Sequence, residues 1–224
     1  MQNKFAILFD MDGVLVDSEP VIEAAAIAGL LEYGISAKPQ DFTPFIGAGE
    51  DKYIGGVAEK YGVPYKLEMK ARVYQIYLEL VPLKLKVYDG VIELLNRWHS
   101  EGVKMALASS ADRIKIDANL RVAGINPSLF SAIISGEDVI NKKPSPDIYL
   151  LAASRIGANP QDCIVIEDAL NGIQAAKAAG MKCVAIATSF EKAVLKNEKP
   201  DLIYNKISDA VNIFENTQVF DWGN

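Results

Sequence analysis

The sequence predicts an α/β protein: a doubly wound parallel sheet with a small all-helical segment inserted directly after the first strand. Three observations lead there. Six short runs along the 224 residues are uniformly apolar rather than alternating, as strands covered on both faces are. Amphipathic stretches that stop at glycine separate most of these runs, giving the strand–helix alternation of an open α/β sheet. One region, from about Ser18 to Tyr88, holds no such run and reads as helix throughout.

The first strand is "KFAILFD" (4–10). Three helical stretches follow, "EPVIEAAAIAGLLEYG", "GEDKYIGGVAEKYG" and "PYKLEMKARVYQIYLELV", the first two joined by the loop "ISAKPQDFTPFIGA". Their connections to the rest of the chain fall near 17–19 and 84–89. The expected division is a sheet domain from 1–17 and 88–224 and a helical domain from 18–87. Asp17, Ser18 and Glu19 are expected to cap the first helix, and Tyr74 and Tyr77 to fill the helical core. The alternation then resumes: helix "DGVIELLNRWHSEG" (89–102), strand "VKMALASS" (103–110), helix "ADRIKIDANLRVAG" (111–124) and strand "AIIS" (132–135). Helix "SPDIYLLAASRIG" (145–157) opens near a proline, with Asp147 as first-turn charge. Strand "CIVIED" (163–168), helix "ALNGIQAAKAAG" (169–180) and strands "KCVAIAT" (182–188) and "DLIY" (201–204) complete the sheet. The tail "TQVFDWGN" is expected to pack loosely.

Composition excludes several classes. A net charge of −6 and a pI near 4.9 argue against nucleic acid or an anionic membrane as the main partner. No apolar run approaches the ~20 residues of a membrane span, and the N-terminal one is too short for a signal peptide. The single histidine, His99, lies near a helix end and rules out a site built on several histidines. Cys163 and Cys183 sit in apolar strands and are expected as buried free thiols of a cytoplasmic monomer.

In doubly wound sheets ligands bind where the strands end. Those ends present Asp10 and Asp12, then Ser109 and Ser110, then Lys143 in "NKKPSPD", then Glu167 and Asp168. Alone, two aspartates after a strand could be turn or cap residues. Together the four groups suit phosphoryl transfer: a carboxylate can attack phosphorus, and a hard cation such as Mg²⁺ would relieve the crowded acids. Hydroxyl and ammonium groups would hold the phosphoryl oxygens.

The stretches "DMDGVLVDSE", "LASS", "KPSPD" and "VIEDALNGIQAAKAAG", in this order, resemble the four motifs of the haloacid dehalogenase superfamily. The helical insert is similar to the cap of its β-phosphoglucomutase-like branch. The resemblance covers nearly the whole chain and implies a Rossmann-like core under a helical cap. It further implies that Asp10 is the nucleophile and Asp12 the general acid–base, and that Ser109, with Ser110 beside it, and Lys143 bind phosphate. Mg²⁺ would be held by Asp10, the backbone carbonyl of Asp12 and Asp168, with Glu167 a second acid, direct or through water. The cap loop "FIGAGEDKY" would face the crevice, offering Gly47, Glu50 and Lys52 to the substrate's far end.

Phosphatases and sugar phosphomutases share such a site. The mutases resembled here carry a cap histidine where this chain has Ile22 and a cap arginine where it has Glu50. The expectation is therefore a Mg²⁺-dependent phosphatase acting on a small phosphorylated metabolite, with a β-phosphoglucomutase-type enzyme as the alternative. A silent metabolite- or partner-binding domain is a third reading, disfavoured by the intact site residues. The stretches "GEDKYIGGVA" and "SSADRIKIDANL" are also similar to a haloacid dehalogenase domain of a large plant chloroplast protein, which implies no substrate.

Overall fold

A computed structural model describes residues 5–213. Its main sheet has β1 (Ala6–Phe9) at the centre, between β4 (Lys104–Ala108) and β6 (Cys163–Glu167). Beyond β4 lies β5 (Ala132–Ile134), and beyond β6 lie β7 (Lys182–Ile186) and β8 (Leu202–Tyr204). Every neighbouring pair in this sheet is parallel. All six strands coincide with the apolar runs read as strands.

Alternate residues of each strand feed opposite faces, because successive side chains of a strand point opposite ways. Ile7, Phe9, Leu107, Ile164 and Ile166 pack against α4 (Val91–Ser100) and α5 (Arg113–Ala123). Ala6, Leu8, Ala106, Ala108 and Val165 pack against α6 (Asp147–Arg155) and α7 (Leu170–Ala178). A short α8 (Lys192–Leu195), which periodicity did not predict, adds Leu195 to the second layer. Cys163 and Cys183 are buried free thiols, and His99 is exposed in the last turn of α4, as expected. Among the described residues no helix is long and apolar enough to cross a membrane. The tail "TQVFDWGN" lies outside the described residues.

The insert consists of α1 (Glu19–Leu31), α2 (Glu50–Lys60) and α3 (Leu67–Lys84). Its core is Val21, Ile22, Leu30, Ile54, Val57, Val73, Tyr77 and Val81, joined by Ala118 of α5. Both connections to the sheet run through one small antiparallel ribbon, β2 (Val16–Asp17) against β3 (Lys86–Val87). The sequence marked the two crossings but not their pairing, since two-residue strands carry no periodicity. Ser18 occupies the N-cap position of α1 without bonding its backbone, contrary to expectation. Its hydroxyl is used in the crevice instead.

Candidate active site

β1 lies between β4 and β6 in register, so their carboxyl ends open on one crevice. The Asp10 N–H donates to the Ile166 carbonyl at 2.9 Å, the last rung before the chain leaves the sheet. A tight turn follows: Leu15 N–H donates to Met11 O at 2.9 Å and Gly13 N–H to Val16 O at 2.8 Å. Gly13 has φ +79°, and a Cβ there would sit 1.9 Å from Asp168 Oδ2. Backbone conformation and the approach of Asp168 thus both demand glycine.

Asp10 is buried and shares Lys143 with Glu167. The ammonium lies 2.5 Å from Asp10 Oδ1 and 2.7 Å from Glu167 Oε1, and 4.8 Å from the centre of the Tyr149 ring. Glu167 is saturated. Oε1 also accepts from the Tyr149 hydroxyl at 2.9 Å, and Oε2 accepts the N–H groups of Asp168 and Ala169, each at 2.8 Å. A Cβ at position 172 would fall 1.6 Å from Glu167 Oε1, which explains Gly172 in α7. Asp168 Oδ2 accepts a short hydrogen bond from the Ser189 hydroxyl.

These acids crowd one another. Burial pushes the Asp10 carboxyl up to about 7; Lys143 opposes this, and Glu167 and Asp12 add to it. Burial, then the charges of Glu167 and Asp10, holds Asp168 well above the usual carboxylate range. Six carboxylates line the crevice, those of Asp10, Asp12, Glu19, Glu50, Glu167 and Asp168, against one ammonium, Lys115. Lys143 stands behind them. A dianionic phosphate could not enter this field without added positive charge, so the residues present fit a hard divalent cation. Among the described residues no three His, Cys, Asp or Glu side chains converge as a full metal cage.

Ser109 accepts the Ala111 N–H on Oγ at 3.1 Å and faces Asp12 Oδ2 at 3.4 Å. Ser110 Oγ is buried in the crevice wall with no hydrogen-bond partner among the described residues. An orphaned buried hydroxyl beside a strand end can donate a hydrogen bond to a bound group or accept one from it.

Asp12 is more open, its side chain 24% exposed. Oδ1 takes a short hydrogen bond from Ser18, lies 3.1 Å from the Lys115 ammonium and 3.4 Å from Asn119 Nδ2. On the insert side, Gly47, Gly49 and Glu50 line the crevice, and the Tyr53 hydroxyl donates to Glu19 at 2.5 Å. Gly47 has φ +76°, and a Cβ there would meet Asn171 Oδ1 at 2.7 Å and Ala169 Cβ at 2.9 Å. Only a bare backbone can approach α7 so closely.

Lys52 is exposed and does not line the crevice. The cation facing Glu50 is Lys115, whose ammonium lies 3.0 Å from Glu50 Oε1. Burial pushes the Lys115 ammonium down, but Asp12 and Glu50 more than reverse this and hold it well above the ordinary lysine value. Tyr77 is buried as expected, and its hydroxyl also bonds Asn119 Oδ1 at 2.5 Å. Sequence reading thus missed Lys115, Asn119, Tyr149, Ser189 and the crevice role of Ser18. The free crevice volume is only about 50 Å³. That is room for a few waters, and across it Glu50 of the insert meets Lys115 of the core.

Comparison with known proteins agrees with the geometry. Residues 6–180 match the family model of haloacid dehalogenase-like hydrolases. The chain is 44% identical over 208 residues to the protein SUPPRESSOR OF QUENCHING 1, chloroplastic, of Arabidopsis thaliana, covering 91% of this chain and 20% of that much longer protein. It is 34% identical over 189 residues to a phosphorylated carbohydrates phosphatase of Thermotoga maritima, covering 79% of this chain and 82% of that one. The solved structure of a putative beta-phosphoglucomutase from Thermotoga maritima superimposes with a TM-score of 0.74 at 30% identity, over 95% of this chain and 99% of the other. The chain belongs to the haloacid dehalogenase-like hydrolase family.

Proposed function

We propose that the protein is a Mg²⁺-dependent phosphatase that hydrolyses a small phosphomonoester, a sugar phosphate or similar, through an aspartyl-phosphate on Asp10. One observation carries this reading. Two carboxylates leave one strand end in different surroundings: Asp10 buried and held by Lys143, Asp12 more open, with three donors on Oδ1 and only a weak contact from Ser109 on Oδ2. Environments that differ in this way separate the two roles, attack and proton transfer.

Asp10 attacks phosphorus as the bond to the leaving oxygen breaks, and Asp12 gives that oxygen its proton, releasing an alcohol. Asp12 then takes a proton from water as the water oxygen attacks phosphorus and the bond to Asp10 breaks. Inorganic phosphate leaves and both aspartates are restored. Ser109 and Ser110 are suited to bind the phosphoryl oxygens; Lys143, expected as a phosphate ligand, spends its ammonium on Asp10 and Glu167 and holds Asp10 in place from behind. Asp10, Asp168 and the Asp12 carbonyl would hold Mg²⁺; Glu167, with four donors on its oxygens, would reach it only through water. The cation, when bound, supplies charge neutralisation for nucleophile and phosphate together. The helices 18–87 act as a cap, and the free thiols fit a reducing compartment such as the cytoplasm.

The mutase alternative needs a spare cation on the cap side for a second phosphate. Glu50 already occupies Lys115, and Ile22 lines the same wall. The test is phosphate release with Mg²⁺ over sugar, nucleotide and polyol phosphates, beside NMR of β-glucose 1-phosphate with a trace of bisphosphate. Free phosphate should appear on some member of the panel. Glucose 6-phosphate forming faster than free phosphate would replace the phosphatase with the mutase, and no turnover on any substrate would point to a binding domain.

A further inference from the structure

Asp12 is not held by its own strand end. Three donors meet on Oδ1: the Ser18 hydroxyl, Asn119 Nδ2 at 3.4 Å and the Lys115 ammonium at 3.1 Å. Oδ2 keeps one weak neighbour, Ser109 Oγ at 3.4 Å. Lys115 and Asn119 are one turn apart on α5, so they present one face. Each has a second partner on the cap. Lys115 reaches Glu50 Oε1 of α2 at 3.0 Å, and Asn119 Oδ1 accepts from the Tyr77 hydroxyl of α3 at 2.5 Å. Lys115 is 4% exposed, although lysine is rarely buried unless paired. Nothing else in the proposed chemistry uses it.

We propose that Lys115 is a positioning residue: clamped between Glu50 of the closed cap and Asp12 of the core, it fixes Asp12 Oδ1 so that Oδ2 faces the leaving oxygen. Closure brings Glu50 onto Lys115 and, through the same ammonium, steadies the carboxyl that moves the proton. An open cap leaves Lys115 without Glu50, so the ammonium can move and Asp12 Oδ1 is held less firmly, by Ser18 and Asn119 alone. The chain would thus tie proton delivery to a shut crevice. This inference rests on Asp12 being the general acid–base.

The experiment measures kcat and KM for Lys115→Met, Lys115→Arg, Glu50→Gln and Asp12→Asn on p-nitrophenyl, phenyl and glycerol phosphates, with melting curves for each protein. p-Nitrophenol leaves with little help; glycerol needs the proton. Lys115→Met should lower kcat for glycerol phosphate at least about tenfold more than for p-nitrophenyl phosphate, part of the ~10²–10⁴ typical of general acid–base catalysis. Lys115→Arg should restore most of that ratio, and Glu50→Gln should move it in the same direction by about threefold. If Lys115→Met does not fold, Glu50→Gln decides. Leaving-group dependence in Asp12→Asn with none in the Lys115 and Glu50 variants would overturn the inference alone. Its absence from Asp12→Asn as well would overturn the general acid–base assignment and the inference together.

Discussion

Asp10 and Asp12 leave the same strand, and different parts of the molecule build their surroundings. Around Asp10 stand Glu167 and Asp168, at the end of β6, and Lys143, from the loop between β5 and α6, each buried. Around Asp12 stand Ser18 at the root of α1, Lys115 and Asn119 on α5, and, one contact further, Glu50 and Tyr77 of the insert. Under the function proposed above, the first set would serve any phosphoryl group, which is the same in every monoester, and the second would meet whatever is attached to it. The crevice therefore has a constant half, fixed by sheet topology, and a variable half, fixed by how the insert closes. In the reading proposed above, reaction type resides in the first and choice of leaving group in the second.

The largest effect is expected from Asp10→Asn. An amide is a poor nucleophile and a neutral ligand. Loss of a catalytic nucleophile can cost on the order of 10⁶ in kcat, so phosphate release should fall by at least about 10⁴-fold on every substrate alike, whatever its leaving group. Lys143 keeps Glu167 as a partner, so the melting curve should hold. Appreciable residual turnover would remove Asp10 as the attacking group.

The same contrast explains what was legible in the chain. Asp10, Asp12, Glu167 and Asp168 could be read because strand ends are marked by apolar runs, and topology brings such ends together wherever the helices lie; Lys143, in a loop well past β5, could be read only from its place before Pro144 in the order of motifs. The three insert helices could be read from their apolar spacing, and the first two also from the glycines that follow them, Gly34 and Gly62. Lys115 could not, because a lysine in the first turn of a helix reads as a solvated charge in an unfavourable place. The clue was its position one residue before Ile116, with Asn119 one residue before Leu120, which puts both on the flank of a buried stripe. Lys52 misled for the converse reason. It lies in the right loop region by sequence, and the helical turn of α2 carries it outward while Glu50 and Tyr53 turn in.

Next in size is Lys143→Met. Asp10, Glu167 and Asp168 would then share one buried pocket with no cation among them. Removing one partner of a buried ion pair typically costs about 3–5 kcal/mol. Urea unfolding without Mg²⁺ should show a loss of that order, with activity gone. A change below about 1 kcal/mol would mean that the acids protonate or rearrange and that Lys143 is not their structural counterion.

Metal removal and pH probe the same half more gently. Asp10 has a folded pKa of about 7 against an ordinary 3.8, because burial favours its neutral form. The folded state then binds the proton more tightly than the unfolded one. Stability from this group is fully present below the ordinary value and is lost as pH rises toward 7. Asp168, shifted the same way, adds to the loss. Metal-free protein should therefore melt lower at pH 8 than at pH 5, and Mg²⁺ should raise the melting temperature more at pH 8. Activity should vanish in EDTA and return with Mg²⁺. Ca²⁺, larger and of higher coordination number, should restore little. An equal Mg²⁺ shift at both pH values would separate the cation from these carboxylates.

The smallest effect is expected at the exposed start of α2. Lys52 and Glu50 begin the same helix two residues apart, one exposed and one buried against Lys115. If the variable half of the crevice is set by side chains that close inward, Lys52→Ala should do almost nothing. Its charge lies in solvent, where screening leaves little influence on the crevice. An exposed substitution away from caps and ion pairs usually stays within about 0.5 kcal/mol. The kcat and KM of Lys52→Ala on the best substrate should stay within about twofold of the parent, at low and at moderate salt. A KM that rises severalfold at low salt and recovers at high salt would show that the exposed edge of α2 steers the anionic substrate, and the boundary of the variable half would have to move out to include it.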